Sequence, residues 1–290
     1  MLFLATAISG LAAGAAYALV GLTTLMTYRF VAVINFAQTS VGAMGAFVMA
    51  DLWGNGTSLW LALPIGVLLA AVLNLAIGAV LITWFADGTT VVKTAVTISL
   101  FTALIALGGR FFNAQDPRTL PAPFESAAVH VAGVAVTWLV VVTVLAAIAL
   151  TFASSWVLQR TRLGLRLRAL SDRPKTAELI GVPSGPIAML VWAGSGALTA
   201  LALILVAPLF PADFETLAML ATGAFAAALV GSFRSFPLTL AGGLVIGALQ
   251  GSLNSISELQ PYRGAVPLLF ILAAVLWTNR SARWEAPAQA

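Results

Sequence analysis

The main feature of this chain is a series of helix-length apolar runs separated by short polar breaks. Nine candidate spans follow from it, at about 3–28, 31–50, 59–85, 94–112, 133–157, 186–210, 217–232, 237–255 and 265–279. A run of about 20 apolar residues lets an α-helix cross the hydrocarbon core, and the alternating pattern of a membrane β-barrel is missing. The pattern therefore predicts an all-α polytopic bundle of about eight to nine spans, since the short 217–232 run could re-enter instead of crossing.

One long charged segment, residues 159–183, interrupts this pattern. It carries six of the fourteen basic residues, namely Arg160, Arg162, Arg166, Arg168, Arg173 and Lys175. If this loop is cytoplasmic, alternation of the spans leaves only Arg110, Arg118 and Arg263 outside, as the excess of Lys and Arg in cytoplasmic loops requires. We therefore expect a single transmembrane domain over 1–290, with the N-terminus outside, the C-terminus cytoplasmic and an irregular external loop at 113–132.

Within the basic loop, residues that typically start and end helices predict a short helix. Asp172 is a candidate N-cap, and Pro174 falls in the first turn, where its missing N–H costs nothing. Gly181 is a candidate left-handed C-cap and Pro183 a stop. A rigid helix of about two turns in this position suits docking to a cytoplasmic partner. The alternative is a solvated loop whose arginines only set the topology.

A polar cluster lies inside the second apolar run. It consists of Asn35, Gln38, Thr39 and Ser40. Amides buried in a membrane need hydrogen-bonding partners, so the cluster faces either other helices or a water-lined path. Structural packing and a translocation route both stay open for it. Weaker candidates of the same kind are Asn74, Gln250 and Asn254.

Glycines recur at four-residue spacing in the first and eighth runs. They are Gly10 and Gly14 in the first run, and Gly243, Gly247 and Gly251 in the eighth. This spacing lets helix backbones approach closely, so it predicts helix packing, with a substrate pathway as the alternative.

Several of these segments match the motifs of one transporter family. The second run contains Ile34, Asn35, Phe36, Ala37 and Gln38, followed by Gly42 and Gly45. The basic loop contains Gly164, Arg168, Ala169, Asp172, Ala177 and Gly181, and a glycine-rich region contains Gly231, Ser235, Pro237, Gly242, Gly243 and Gly247. With residues 10–22 as the first span, the chain resembles, over nearly its whole length, the permease subunits of branched-chain amino acid ABC importers.

This resemblance implies a function and a set of partners. Gly164, Arg168, Ala169, Asp172, Ala177 and Gly181 would belong to a coupling loop that docks on a cytoplasmic ATPase, and Asn35, Phe36, Gln38 and Thr39 to the translocation pathway. The implied partners are a second homologous permease subunit, two cytoplasmic ATP-binding cassette subunits and an extracytoplasmic substrate-binding protein. The implied solute is a branched-chain or other amino acid, urea or a short amide, and the implied location is the bacterial inner membrane.

The residues also exclude several functions. The chain has no GxxxxGK[ST] loop and only two lysines, Lys93 and Lys175, so ATP and Mg²⁺ would bind to partner subunits and this subunit is not an enzyme. Without cysteine, and with His130 as the one histidine, the sequence predicts no metal site and no cofactor. The basic residues cluster at the ends of apolar runs, which indicates membrane topology and not nucleic-acid binding.

Two other classes of membrane protein remain as alternatives. An ion-coupled secondary transporter or channel usually needs ionisable groups within the bilayer, but every carboxylate here falls in a loop or at a span end. A structural membrane subunit without a pathway is the third interpretation.

Overall fold

Helices dominate the computed structural model, which describes residues 2–112, 128–131 and 134–282. The α-helices of this part of the chain are α1 Leu2–Val31, α2 Ala37–Gly54, α3 Leu59–Thr83, α4 Thr90–Phe111, α5 Trp138–Arg160, α6 Arg162–Asp172, α7 Pro174–Leu179, α8 Ser184–Val206, α9 Phe214–Val230, α10 Phe236–Leu253 and α11 Val266–Ala282. Two short 3₁₀ helices, Ala207–Leu209 and Gln260–Ala265, follow α8 and precede α11.

Seven of the described helical segments are long and apolar enough to cross a membrane. They comprise α1, α3, α4, α5, α8, α10 and the segment Gln260–Trp277 that includes most of α11. The apolar helix α9 has 17 residues and is shorter. The protein is therefore an all-α polytopic bundle, whereas eight to nine spans and the orientation of the termini stay predictions.

The second helix, α2, lies inside the bundle, where it packs mainly on α3 and α8. Small residues make these contacts close. A Cβ added at Gly45 would lie 2.6 Å from the Gly66 carbonyl oxygen of α3, and one added at Gly42 would lie 2.7 Å from the Thr199 methyl of α8. The surrounding helices thus keep the polar start of α2 away from lipid.

Different helix termini come together at the two ends of the bundle. At the first end, here called the α6–α7 end, the last residues of α1, the start of α8 and the α9–α10 turn lie together beside α6. At the opposite end, the start of α1, the end of α8 and the start of α9 lie near the second 3₁₀ helix. The basic loop predicted from the sequence thus lies at one end of the bundle, next to the end of α1, the start of α8 and the α9–α10 turn.

Helix boundaries differ from the predicted ones at the first and fifth runs. The first helix continues to Val31, and α2 begins only at Ala37, because Ala32 adopts a left-handed conformation with φ 55°. The predicted fifth span began near residue 133, but the antiparallel strands β1 Ala128–Val131 and β2 Val134–Thr137 precede α5. The external loop predicted to be irregular therefore ends in a strand, while its residues 113–127, 132 and the His130 side chain lie outside the described part.

Candidate functional site: a buried amide network and the α6–α7 loop

The Gln38 side chain lies where α1, α2 and α8 meet. It is fully buried, donates to Thr199 Oγ1 at 2.7 Å and accepts from Thr27 Oγ1 at 3.0 Å. Thr199 Oγ1 in turn lies 2.9 Å from Thr23 Oγ1. Gln38 therefore connects three helices through one hydrogen-bonded chain.

A second amide pair connects the α1–α2 segment to α3 and α8. Asn35 Nδ2 donates to Asn74 Oδ1 at 2.8 Å, and Asn74 Nδ2 lies 2.7 Å from the Trp192 carbonyl oxygen and 3.0 Å from Ser195 Oγ. Both amides are buried. In hydrocarbon such groups must pair within the protein, and these contacts fulfil that requirement for most of their atoms.

The non-helical segment between α1 and α2 is also attached to α4. Thr97 Oγ1 donates to the Ile34 carbonyl at 2.9 Å and lies 3.3 Å from the Phe36 amide nitrogen. The Phe36 ring packs against Phe225 of α9 at a centroid distance of 4.1 Å. Thr39 is buried inside α2. All four residues proposed from the sequence for a pathway thus lie within 5 positions of the α1–α2 break.

Some polar atoms of this region have no partner in the described protein. They are Asn35 Oδ1, Ser40 Oγ and Trp192 Nε1, on side chains that are 0–1% exposed. Each buried unpaired group costs about 1–3 kcal/mol. One of these atoms, Asn35 Oδ1, lies in the break between α1 and α2.

Sequence reasoning found the amides of this network but not the hydroxyls. Asn74, a weaker candidate from the sequence, belongs to the network, whereas Gln250 and Asn254 lie at the opposite end, where they contact Arg263. The missed residues are Thr23, Thr27, Thr97, Ser195 and Thr199. The four-residue spacing of Thr23 with Thr27, and of Ser195 with Thr199, was a signal that could have found them.

The basic loop begins with a helix, α6, that was not predicted from the sequence. In α6, Thr161 caps the N-terminus by accepting from the Gly164 amide at 3.0 Å. Leu167 and Leu170 are buried against the bundle. A Cβ at Gly164 would collide with the end of α5. The arginines of α6 lie on its exposed side, so α6 is an amphipathic helix packed along the end of the bundle.

The predicted short helix exists as α7, with one correction at its start. Asp172 is the last residue of α6, so Arg173 is the N-cap of α7 and no side chain caps it. At the other end Gly181 has φ 86°, as predicted for a left-handed cap. Its N–H donates to the Glu178 carbonyl at 2.9 Å, and Val182 N–H donates to the Ala177 carbonyl at 3.0 Å. These paired bonds form a Schellman motif, which ends α7 rigidly.

The two faces of α7 differ in exposure. Ala177 is 2% exposed and belongs to an apolar cluster that includes Leu25 of α1 and Phe225 of α9. Leu179 and Ile180 are 87% and 74% exposed. One face therefore holds α7 on the bundle, and the other presents two large apolar side chains away from it.

The glycines singled out for packing lie at the contact of α1 with α10. A Cβ at Gly14 would lie 2.9 Å from the Gly243 carbonyl oxygen, and one at Gly251 would lie 2.7 Å from Gly10 Cα. A Cβ at Gly247 would overlap the backbone of Gly14. The two helices therefore touch backbone to backbone along this stripe.

Comparison with known proteins identifies the family. Residues 6–275 match the family described as "Branched-chain amino acid transport system / permease component". The chain belongs to this permease family. Because the match runs from α1 into α11, it includes both the buried amide network and the α6–α7 loop. The protein is a multi-pass membrane permease.

Several permease proteins are similar to this chain at low identity over most of its length. The high-affinity branched-chain amino acid transport system permease protein BraD of Pseudomonas aeruginosa is 24% identical, with 86% of this chain and 85% of BraD covered. LivH of Escherichia coli, with the same description, is 25% identical over 94% and 93%. The ribose import permease protein RbsC of Haemophilus influenzae is 26% identical over 90% and 80%. Among solved structures, PsaBC from Streptococcus pneumoniae in complex with Fab aligns with a TM-score of 0.48 and 15% identity, covering 93% of this chain and 89% of that one.

Proposed function

We propose that this chain is the translocating subunit of an ATP-driven importer for branched-chain amino acids or a related small amino acid or amide. The observation that carries the coupling part of this proposal is α7, which is held by the buried Ala177 and presents Leu179 and Ile180 to the outside. Exposed apolar residues on a rigid element at a helix-bundle end are the composition of a protein interface. Family membership supports the transport part.

The basic residues of the α6–α7 end support a position for each proposed partner. The α6–α7 end carries the basic loop, so it is assigned to the cytoplasm, where two ATP-binding cassette subunits hold ATP and Mg²⁺. A homologous permease subunit completes the membrane assembly in the inner membrane. An extracytoplasmic binding protein delivers the solute to the opposite end.

Force from the ATPases would reach the bundle through α7 and α6. Ala177 packs in the same cluster as Leu25 and Phe225, so a displacement of α7 bears on α1 and α9. The Ser171 hydroxyl at the end of α6 donates to the Arg29 carbonyl at 2.9 Å, which ties α6 to the last turn of α1. Gly164, Arg168, Ala169, Asp172 and Gly181 belong to this same connection between α5 and α8.

The translocation route is proposed to run alongside the break between α1 and α2. Asn35, Phe36, Gln38 and Thr39 lie there, and the unpaired Asn35 Oδ1 supports a rearrangement in which this acceptor gains a partner. The network around Gln38 would hold the helices in register on either side of the break. An ion-coupled mechanism is disfavoured because the buried polar side chains of the described residues include no carboxylate, lysine, arginine or histidine.

A pull-down tests the coupling surface directly. We would tag the protein, solubilise its complex in mild detergent and identify co-purifying chains by mass for wild type and for the double variant Leu179→Gln with Ile180→Gln. Leu238→Gln is the matched control, because Leu238 is 54% exposed at the same end but lies on α10. We expect ATPase subunits with wild type and control, and their loss from the double variant. Equal recovery in all three, or in none, would overturn the proposed docking surface.

A further inference from the structure

A cavity of about 1010 Å³ opens at the α6–α7 end, apart from the exposed face of α7. The end of α1, the end of α6, the start of α8 and the α9–α10 turn form its walls. Its charged lining residues are Arg29, Arg168, Arg234 and Asp172. Three arginines and one aspartate therefore line a space large enough for a ligand.

The three arginines line one cavity and form no ion pair within the described part of the chain. Arg29 Nη1 donates to the Arg234 carbonyl at 3.1 Å, and the Arg29 guanidinium lies 5.9 Å from the centre of the Phe236 ring. Neither contact neutralises a charge, and no carboxylate in the described chain forms an ion pair with any of the three. Gathering like charges costs free energy, and an anion in the cavity would offset this cost.

Backbone strain is concentrated on the same cavity. In the described chain, the non-glycine residues with positive φ are Ala32, Ser232 and Phe233, at 55°, 51° and 50°. All three line the cavity. Conformations of this kind cost about 1–3 kcal/mol each and persist where the surrounding structure imposes them, typically at ligand sites. The α1 end and the α9–α10 turn are thus shaped around this space at a cost in stability.

We propose that this cavity binds the phosphate of an anionic phospholipid headgroup. The guanidiniums supply the charge-assisted donors that a phosphate needs. The walls beside them are apolar and include Phe30, Val31, Leu170 and Ile187, which suit the glycerol and first acyl carbons of a lipid. The tilted ring pair of Tyr28 and Phe233, with centroids 4.6 Å apart, lies at the helix ends, the level at which aromatic residues meet headgroups.

A phospholipid explains these walls better than other anions do. A free phosphate has no apolar part to cover them, whereas the glycerol and acyl carbons of a phospholipid lie directly beside its phosphate. Basic pockets between membrane helices are known to select anionic headgroups. A bound lipid would connect α6 to α1 and the α9–α10 turn. The inference rests on the cavity itself and holds whatever solute the permease carries.

The test is a binding titration on the full-length protein with its co-purifying subunits, after lipid is removed in a neutral detergent. Native mass spectrometry would count bound dihexanoyl phosphatidylglycerol, dihexanoyl phosphatidylcholine and inorganic phosphate in separate titrations. The variants are Arg234→Gln and Arg168→Gln, which remove charge from two different walls. Arg160→Gln is the matched control, because Arg160 is an exposed arginine at the same end that does not line the cavity. Gel filtration checks that each variant is folded.

We expect phosphatidylglycerol to bind wild type more tightly than phosphatidylcholine or free phosphate. Each cavity variant should weaken this binding about fivefold, the effect of one basic residue near a charged lipid, and the control should not change it. Equal weakening by Arg160→Gln would overturn the proposal in favour of unspecific surface charge. Phosphate binding as tight as the lipid would overturn the lipid assignment. Lipid binding that appears only after ATPase subunits are stripped away would overturn it too, because a protein group would then occupy the cavity.

Discussion

The contact of α1 with α10 leads to a stability prediction for Gly247→Ala. A Cβ at this position would overlap the backbone of Gly14, and backbone atoms cannot rotate away as a side chain can. At Gly14 the corresponding distance is 2.9 Å to the Gly243 carbonyl oxygen, whereas ordinary van der Waals contact begins at 3.4 Å. A Cβ at Gly14 would need about half an ångström of extra separation between the helices, and the Cβ of Gly247→Ala needs more, which loosens the contact along the whole stripe.

Two opposing effects set the expected change in the free energy of unfolding of Gly247→Ala. Forcing an extra methyl into a packed contact costs about 1–3 kcal/mol, and the overlap at Gly247 places this variant at the upper end of that range. Replacing glycine by alanine within a helix returns about 1 kcal/mol. We therefore expect a net loss of about 2 kcal/mol in the free energy of unfolding. Gly109→Ala in α4 is the matched control, because nothing lies within 4 Å of its Cβ position.

The measurement is equilibrium unfolding of both variants in mixed detergent micelles, followed by tryptophan fluorescence. The control should equal wild type or exceed it by up to about 1 kcal/mol, so the two variants should differ by about 3 kcal/mol. If Gly247→Ala proved as stable as Gly109→Ala, the stripe would not be in tight contact and the packing argument would be wrong.

Three further substitutions test the amide network and the coupling helix. Asn74→Leu removes three hydrogen bonds between elements, worth about 0.6 kcal/mol each in a membrane. The same assay should therefore show a loss of about 2 kcal/mol in the free energy of unfolding. An unchanged unfolding midpoint would mean that the network contributes no stability. Asn35→Leu should abolish solute uptake in proteoliposomes while assembly stays normal, whereas loss of the folded complex would assign Asn35 to packing alone. Ala177→Pro removes the N–H that bonds to the Arg173 carbonyl at 2.9 Å, so it should break α7 and leave ATP hydrolysis uncoupled from uptake. Unchanged ATP-driven uptake would refute the proposal that α7 transmits force from the ATPases.

The long helices were predictable because apolar runs of this length have few alternatives, but their ends were not. The break after Val31 depends on the left-handed Ala32, and alanine carries no sequence signal for that conformation. The strands at 128–137 are four residues each, too short for their alternation to stand out beside a following apolar run. Such features are set by tertiary contacts and not by local propensity.

The amide network shows the same limit for the site. Asn35 and Gln38 stand out in the sequence because amides are rare in an apolar run. Thr199 does not, because a threonine in a helix can satisfy its hydroxyl on its own backbone, as Thr199 also does with the Ser195 carbonyl at 2.8 Å. Its contact with Gln38 spans 161 positions along the chain, and nothing in a single sequence pairs such distant residues.

Helix α7 was predicted from the sequence, but its buried and exposed sides were not. Six residues are too few to show a helical repeat of apolar positions. The proline and glycine at its ends could therefore locate α7 without showing which side meets the bundle. The structure shows Ala177 buried, with Leu179 and Ile180 exposed. An arginine at position 177 would therefore push α7 off the bundle. Loss of an ATPase partner from that variant would show only that α7 must pack on the bundle. Substitutions at positions 179 and 180 leave the packing of α7 on the bundle intact. They therefore test the docking of a partner without disturbing the fold.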